Sequence, residues 1–256
     1  MKEALTLGLA AIAITDHDTV DGIDEALAAA RTTSLEVVPG LELSTDIPQG
    51  EVHMLGFYVE HRSPALLGWL AKLRQSRLGR GKSILEQLTK LGLRLDWERV
   101  QQIAGTATLG RPHIARAMVE SGLVANVDEA FDRYIGRNRP AYVDRYKLTP
   151  RDAVKLIREA HGLPVLAHPL RQTHLVPDLV QCGLVGMEAF YSGYAPDEVQ
   201  FLLDVAHKHG IVPTGGSDYH GGAVLPENHL GQINVPVESL TRLRRLRQHL
   251  FGAGLS

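Results

Sequence analysis

The stretch Ala11-Ile12-Ala13-Ile14-Thr15-Asp16-His17-Asp18-Thr19 sets the fold. Small and β-branched apolar residues run together and stop abruptly at hydroxyl, carboxylate and imidazole groups. That pattern describes a buried parallel strand delivering polar side chains from its C-terminal end. A helix from Ile23 to Arg31 follows, with Asp21 or Gly22 as its cap. Outward from this unit the arrangement recurs. Leu35 to Leu43 reads as a strand ending on Glu42, and Val52 to Val59 as one opening on His53. The link between them is too short for a helical crossover, so they form an antiparallel hairpin that brings Glu42 near His53. Three later strands end in the same way. Val165 to Ala167 runs into His168-Pro169, Val185 to Phe190 ends near Glu188 to Tyr191, and Ile211 to Thr214 leads into Gly215-Gly216-Ser217-Asp218-Tyr219-His220.

Helices fall between these strands. Thr149 caps and Pro150 opens one that runs to His161. Others span Leu175 to Cys182, Pro196 to His209 and Glu238 to Phe251. Alternating strands and helices argue a parallel sheet with helices outside, and polar residues gathered at strand ends argue a barrel. Met1 to Leu7, closed by Gly8, reads as the last turns of a helix. Six strands suit a closed barrel poorly, and a seventh ahead of Met1 would complete it. Residues 63–146 break the rhythm with helices at Pro64 to Leu91, Trp97 to Ile103, Pro112 to Ser121 and Asp128 to Tyr134, the last capped by Asp128. The expected organisation is an α/β barrel made of 1–62 and 147–256, with an all-α insertion at 63–146.

The chain has 256 residues, 44% of them hydrophobic, and a net charge of -2. It can bury a full core, and its charge makes no case for duplex DNA as a partner. The basic run Arg242 to Arg247 alternates with leucines as an ordinary amphipathic helix does. The lone Cys182 rules out a disulfide framework and fits a reducing cytoplasm. No signal peptide and no membrane-length apolar run is visible.

His17, Glu42, His53, His168, Asp218 and His220 are the candidate metal ligands, each at a strand–loop junction or a hairpin start. Any one histidine alone is better explained as a hydrogen-bonded structural residue. Six such groups at strand ends are hard to explain that way, because buried carboxylates and imidazoles need partners. Mixed imidazole and carboxylate donors suit zinc, manganese or iron rather than calcium. Asp218 and His220 alternate by two, so on an extended backbone they point the same way. Clustered divalent ions sharing a hydroxide are suited to attack on a phosphoester. His61, His161, His174, His207, His209, His229 and His249 fall on helices or linkers and read as surface or structural.

Thr15-Asp16-His17-Asp18-Thr19, Gly40-Leu41-Glu42, Glu51-Val52-His53, Leu166-Ala167-His168-Pro169 and Gly216-Ser217-Asp218-Tyr219-His220-Gly221 resemble the successive motifs of the PHP (polymerase and histidinol phosphatase) superfamily. Gly110-Arg111-Pro112-His113-Ile114-Ala115 and Pro140-Ala141-Tyr142-Val143 resemble its branch of small bacterial phosphoesterases, which holds 3′,5′-nucleoside bisphosphate phosphatases and 5′-3′ exonucleases on short RNA. The resemblance covers nearly the whole chain. It implies a distorted (βα)7 TIM-like barrel and a metal-dependent phosphoesterase acting on nucleotide phosphomonoesters or short oligonucleotides. It implies two or three divalent ions, manganese foremost, with iron or zinc as alternatives. On that pattern Glu42 bridges two ions, Asp218 joins it on the first, His53 and His168 complete the second, and His17 and His220 share the third. His220, His17 and Asp218 take the catalytic roles. Arg111 and His113 contact the substrate phosphate, with Tyr142 and Arg145 as weaker candidates. A planar guanidinium suits bidentate phosphate binding. Read from the residues alone, Arg111 is more readily a helix-start residue paired with a nearby carboxylate, and the resemblance brings the two readings level.

One departure stands beside the match. The family opens with a strand carrying His-X-His and then an Asp in a Ser-Asp-Gly-like loop, and this sequence opens with neither. A strand with its loop and helix amounts to about 20 residues. The alternative reading is therefore a truncated barrel that binds metal or nucleotide without turnover. An amidohydrolase-type metal enzyme also uses barrel-end histidines, but no lysine sits at a strand end here to bridge its ions.

Overall fold

The computed structural model describes residues 1–105, 109–144, 148–221 and 227–252. The chain divides into two compact units, Met1–Leu67 with Leu148–Ser256, and Gly68–Lys147. In chain order the first unit supplies α1 (Lys2–Thr6), β1 (Ala11–Ile14), α2 (Ile23–Ala30), β2 (Glu36–Ile47) and β3 (Gly50–Phe57). Helix α3 (Pro64–Lys90) leads into the second unit, which adds α4 (Trp97–Ala104), α5 (Arg111–Glu120) and α6 (Val127–Ala130). The first unit resumes with α7 (Pro150–Glu159), β4 (Leu163–Leu166), α8 (Val176–Cys182), β5 (Gly186–Tyr191), α9 (Pro196–Lys208), β6 (Val212–Gly216) and α10 (Val237–Phe251).

The six strands form one curled α/β sheet in the order β1-β2-β3-β4-β5-β6. The β2–β3 hairpin forms as expected, with Ser44 opposite His53 and Glu42 opposite Leu55. It also corrects the expectation of a parallel sheet. β3 runs antiparallel to both β2 and β4, while β1–β2, β4–β5 and β5–β6 are parallel. A two-residue turn at Pro48-Gln49 cannot return a strand in the same direction, so the hairpin forces the reversal.

β1 pairs only with β2 among the described residues, and its burial differs from the sequence reading. Ala13 is exposed and Ile12 and Ile14 are half-buried, so β1 is an edge strand rather than a buried one. Local capping departs in one more place. Asn126, not Asp128, caps α6, accepting from the Glu129 N–H at 2.8 Å. Gly22 rather than Asp21 stands at the N-cap of α2. Thr149 caps α7 with Pro150 in its first turn, and Gly8 ends α1 at φ +69°.

Apolar residues from β2 to β6 close the core of the first unit. Val38, Leu55, Phe57, Leu163, Val165 and Val212 pack with Leu243 of α10. The second unit has its own core, in which Ile84 and Leu88 of α3 meet Val100, Ile114, Met118 and Ile135. Among the described residues no helix is long and apolar enough to cross a membrane.

Candidate metal centre

The loop after β1 is fastened onto β2 on both sides of Glu42. Asp18 N–H donates to the Glu42 carbonyl at 2.8 Å, and Glu42 N–H donates to the Asp16 carbonyl at 3.1 Å. Asp18 is 2% exposed, and its carboxylate accepts from the Ser44 N–H at 2.9 Å. These bonds extend the β1–β2 ladder to His17 and Glu42, which form an isolated parallel bridge. Glu42 therefore stands in the middle of β2, not at its end, because β2 continues to Ile47. On the facing strand His53 lies diagonal to Glu42 and on the same face.

The side chains converge accordingly. Glu42 Oε1 lies 2.8 Å from His53 Nδ1 and 3.6 Å from His168 Nε2, and Oε2 lies 3.7 Å from His17 Nε2. His53 Nδ1 and His168 Nε2 are 3.1 Å apart. The His17 ring is 5.0 Å from that of His53 and 5.7 Å from that of His220. His220 Nδ1 turns back on Asp218, 2.9 Å from its carbonyl and 3.4 Å from Oδ1. The structure thus gathers all six sequence candidates. The expected extended Asp218–His220 geometry is wrong, since Asp218 has φ +52° and the chain folds back there. Asp18 at φ +52° and His168 at φ +29° are strained in the same region. Such backbone costs about 1–3 kcal/mol per residue and persists where the surroundings over-determine it.

Electrostatics keep the cluster ready for cations. Burial pushes the Glu42 carboxyl up, but the imidazoles of His168, His53 and His17 outweigh it and hold the group well below the usual carboxylate range. Burial lowers His17 despite the pull of Glu42, which favours the neutral, ligating imidazole. Burial would also lower His168, but Glu42, Glu188 and Asp218 leave it raised. Ligand atoms of His17, Glu42 and His53 lie within 4.8 Å of one another. An ion bound at about 2.0–2.2 Å from nitrogen and oxygen donors fits among atoms so spaced. The donor set therefore fits a divalent metal of the zinc, manganese or iron type.

Two supporting residues stand outside the six. Tyr191, at the end of β5, donates its hydroxyl to Asp218 Oδ2 at 2.9 Å. Burial, reinforced by Asp218, raises its phenol, so the proton stays on for that bond. Glu188, 7% exposed on β5, accepts from the His168 N–H at 2.8 Å and pins the strained residue. Met187-Glu188-Ala189 placed a carboxylate inside an apolar strand, and that was the signal in the sequence. Burial pushes Glu188 up to about 7 from 4.5. A raised acid stabilises the fold below its unfolded value, and that contribution is lost as pH rises through about 7. Glu188→Gln is therefore expected to stabilise the metal-free protein at pH 8 by up to about 3 kcal/mol, and to be neutral near pH 4.5. Thermal melts at the two pH values check this; equal shifts at both would contradict it.

The substrate candidates lie in the second unit. Arg111 opens α5, with its guanidinium 5.4 Å from the Phe131 ring and 5.6 Å from the Tyr142 ring. Its NH1 lies 3.4 Å from the Ile135 carbonyl. Arg80 packs on Tyr142 as well, at 5.5 Å. His113 Nδ1 accepts from the Gly110 N–H at 3.0 Å, which makes it part of the helix cap. Burial lowers its pKa. Arg145 lies outside the described residues.

No protein-family model matches the chain. A 5′-3′ exoribonuclease from Haemophilus influenzae is 32% identical over 228 residues, covering 86% of this chain and 82% of the relative. A phosphoribosyl 1,2-cyclic phosphate 1,2-diphosphodiesterase from Eggerthella lenta is 32% identical, covering 86% of this chain and 87% of the relative. A 3′,5′-nucleoside bisphosphate phosphatase from Chromobacterium violaceum is 30% identical, covering 82% and 77%. Among solved structures, one from Bifidobacterium adolescentis described as a candidate metal-dependent phosphoesterase superposes with a TM-score of 0.82 at 29% identity, covering 96% of this chain and 88% of that one.

Proposed function

The chain belongs to the PHP family of metal-dependent phosphoesterases, and on that footing we propose that it hydrolyses nucleotide phosphomonoesters, as a 3′,5′-nucleoside bisphosphate phosphatase, a 5′-3′ exonuclease on short RNA, or both. The observation that carries this is the convergence of His17, His53, His168 and His220 on Glu42 and Asp218. Glu42 and Asp218 would hold one ion, His53 and His168 with Glu42 a second, and His17 with His220 a third, with manganese the leading candidate. Bound divalent ions supply Lewis-acid polarisation of phosphoryl oxygens and a nucleophile from water near neutral pH.

The remaining roles fall to the chain itself. Glu42 stays ionised, so the site presents negative charge to cations before any substrate arrives. Tyr191 fixes the Asp218 carboxylate through its hydroxyl. With Nδ1 engaged by Asp218, Nε2 is the nitrogen with which His220 would hold the third ion or, where that ion is absent and the ring protonated, would give a proton to the leaving alkoxide. Arg111, held between aromatic rings, and His113 are the proposed phosphate contacts, with Tyr142 fixing the Arg111 guanidinium. For the fold, we take the sheet as part of a distorted (βα)7 barrel, with an edge on β1 that no second strand pairs among the described residues. The single Cys182 suits a reducing, cytoplasmic setting.

Phosphate release from adenosine 3′,5′-bisphosphate tests the proposal. Release is expected with added Mn²⁺, to stop with chelator, and to be lost in His168→Ala. Metal-independent release that survives His168→Ala would sink it. The second reading is binding of metal or nucleotide without turnover. Nucleotide binding without phosphate release under Mn²⁺ would support it.

A further inference from the structure

Beside His168 lies a cleft of about 320 Å³ lined by His168, Leu170, Arg171, Gln172, Tyr191 and Tyr194. We propose that this cleft seats the nucleoside part of the substrate, with the base on Tyr194, so that it selects nucleotides over simpler phosphomonoesters. The proposal rests on the phosphoesterase reading above and names the residues that would hold the nucleoside.

The volume lies at the lower end of the roughly 300–1,000 Å³ usual for small-ligand sites. Two tyrosines build one wall, with ring centres 5.2 Å apart and planes at 50°. Tyr191 is committed to the metal cluster, bonded to Asp218 and 5.6 Å from the His168 ring. It therefore couples the cleft to the site where a phosphate would react. Tyr194 is tied at its tip, where its hydroxyl accepts from the Leu170 N–H at 3.4 Å. That tether fixes the loop and the ring together, which lowers the cost of ordering them around a base. Half-buried Leu170 supplies an apolar surface beside the ring.

Gln172 points to the chemistry of the base edge. Its side-chain oxygen is buried and has no hydrogen-bond partner among the described residues. A buried acceptor without a donor is destabilising unless something else uses it. The side chain lines the cleft, and the terminal amide torsion is soft, so a turn of the amide offers this oxygen to a base N–H or amino group. Exposed Arg171 adds positive charge at the same cleft, suited to a second phosphate on the nucleoside. Aromatic face, amide edge and cation together match a nucleoside bisphosphate better than a bare sugar phosphate.

The test compares adenosine 3′,5′-bisphosphate with ribose 5-phosphate on wild type, Tyr194→Ala and Tyr194→Phe. Loss of stacking is expected to raise KM for the bisphosphate about tenfold or more in Tyr194→Ala, with kcat little changed. The slower hydrolysis of ribose 5-phosphate, which has no ring to stack, should show no such loss, and Tyr194→Phe should keep wild-type selectivity. Equal losses on both substrates, or no loss on either, would overturn the proposal. Calorimetric binding of adenosine 3′,5′-bisphosphate separates it from the phosphoesterase reading. If neither substrate turns over, unchanged affinity in Tyr194→Ala overturns the cleft assignment, and a tenfold loss supports it while the hydrolase reading alone fails.

Discussion

Replacing Glu42 by Gln is expected to cut Mn²⁺-dependent phosphate release by at least about a thousandfold while leaving the fold intact. The substitution keeps shape and volume and removes only the charge. That charge is the hub of the cluster, since its two oxygens face His53, His168 and His17 at 2.8, 3.6 and 3.7 Å. The carboxylate side chain is only 7% exposed, so water does not substitute for it. A neutral amide neither balances a divalent ion nor shares two oxygens between ions. Circular dichroism and thermal melting establish that the variant folds; metal content and phosphate release report the loss. Retention of more than a tenth of wild-type turnover would contradict the role of Glu42.

Gly40→Ala should damage the sheet beside Glu42 severely. A Cβ there would stand 2.7 Å from the Gly56 carbonyl oxygen, 3.0 Å from the Ile14 carbonyl oxygen and 3.0 Å from Thr15 Cγ2. Two of these are backbone atoms of β3 and β1, which cannot rotate away. Relief requires spreading the strands that flank β2, two residues before Glu42. We expect a loss of about 2–4 kcal/mol and a fall in Tm of about 5–15 °C, with metal affinity falling alongside. Gly68→Ala on α3 is the control, because nothing lies within 4 Å of its Cβ. Its melting temperature should hold or rise slightly. Equal melting of Gly40→Ala and wild type would refute the close-approach argument.

Much of this cluster was legible before any geometry, because its candidate ligands follow apolar runs that stop at polar clusters. His17 after Ala11–Ile14 and His168 after β4 are of this kind. Glu42 was found for a partly mistaken reason. It was expected at a strand end, yet β2 runs on to Ile47, since Thr45 is fully buried and its hydroxyl bonds to the Val52 carbonyl. The Asp218 turn was misread because spacing by two implies an extended chain, and only the backbone dihedral reveals the reversal. The edge position of β1 was likewise hidden, as an apolar tetrapeptide looks the same in a central and an edge strand.

Glu188 and Tyr191 act through other residues rather than as ligands, and their roles appear only as distances across strands. Arg111 shows the limit of motif reading in another way. Its contacts include a carbonyl and two aromatic faces. That arrangement holds the guanidinium plane in place, as bidentate recognition of a phosphate requires.

The most direct test of the account counts metal ions per chain in protein loaded with Mn²⁺ and assays the same sample for phosphate release from adenosine 3′,5′-bisphosphate. Two or more ions per chain together with release is the predicted result. One ion or none, with no release, would contradict it.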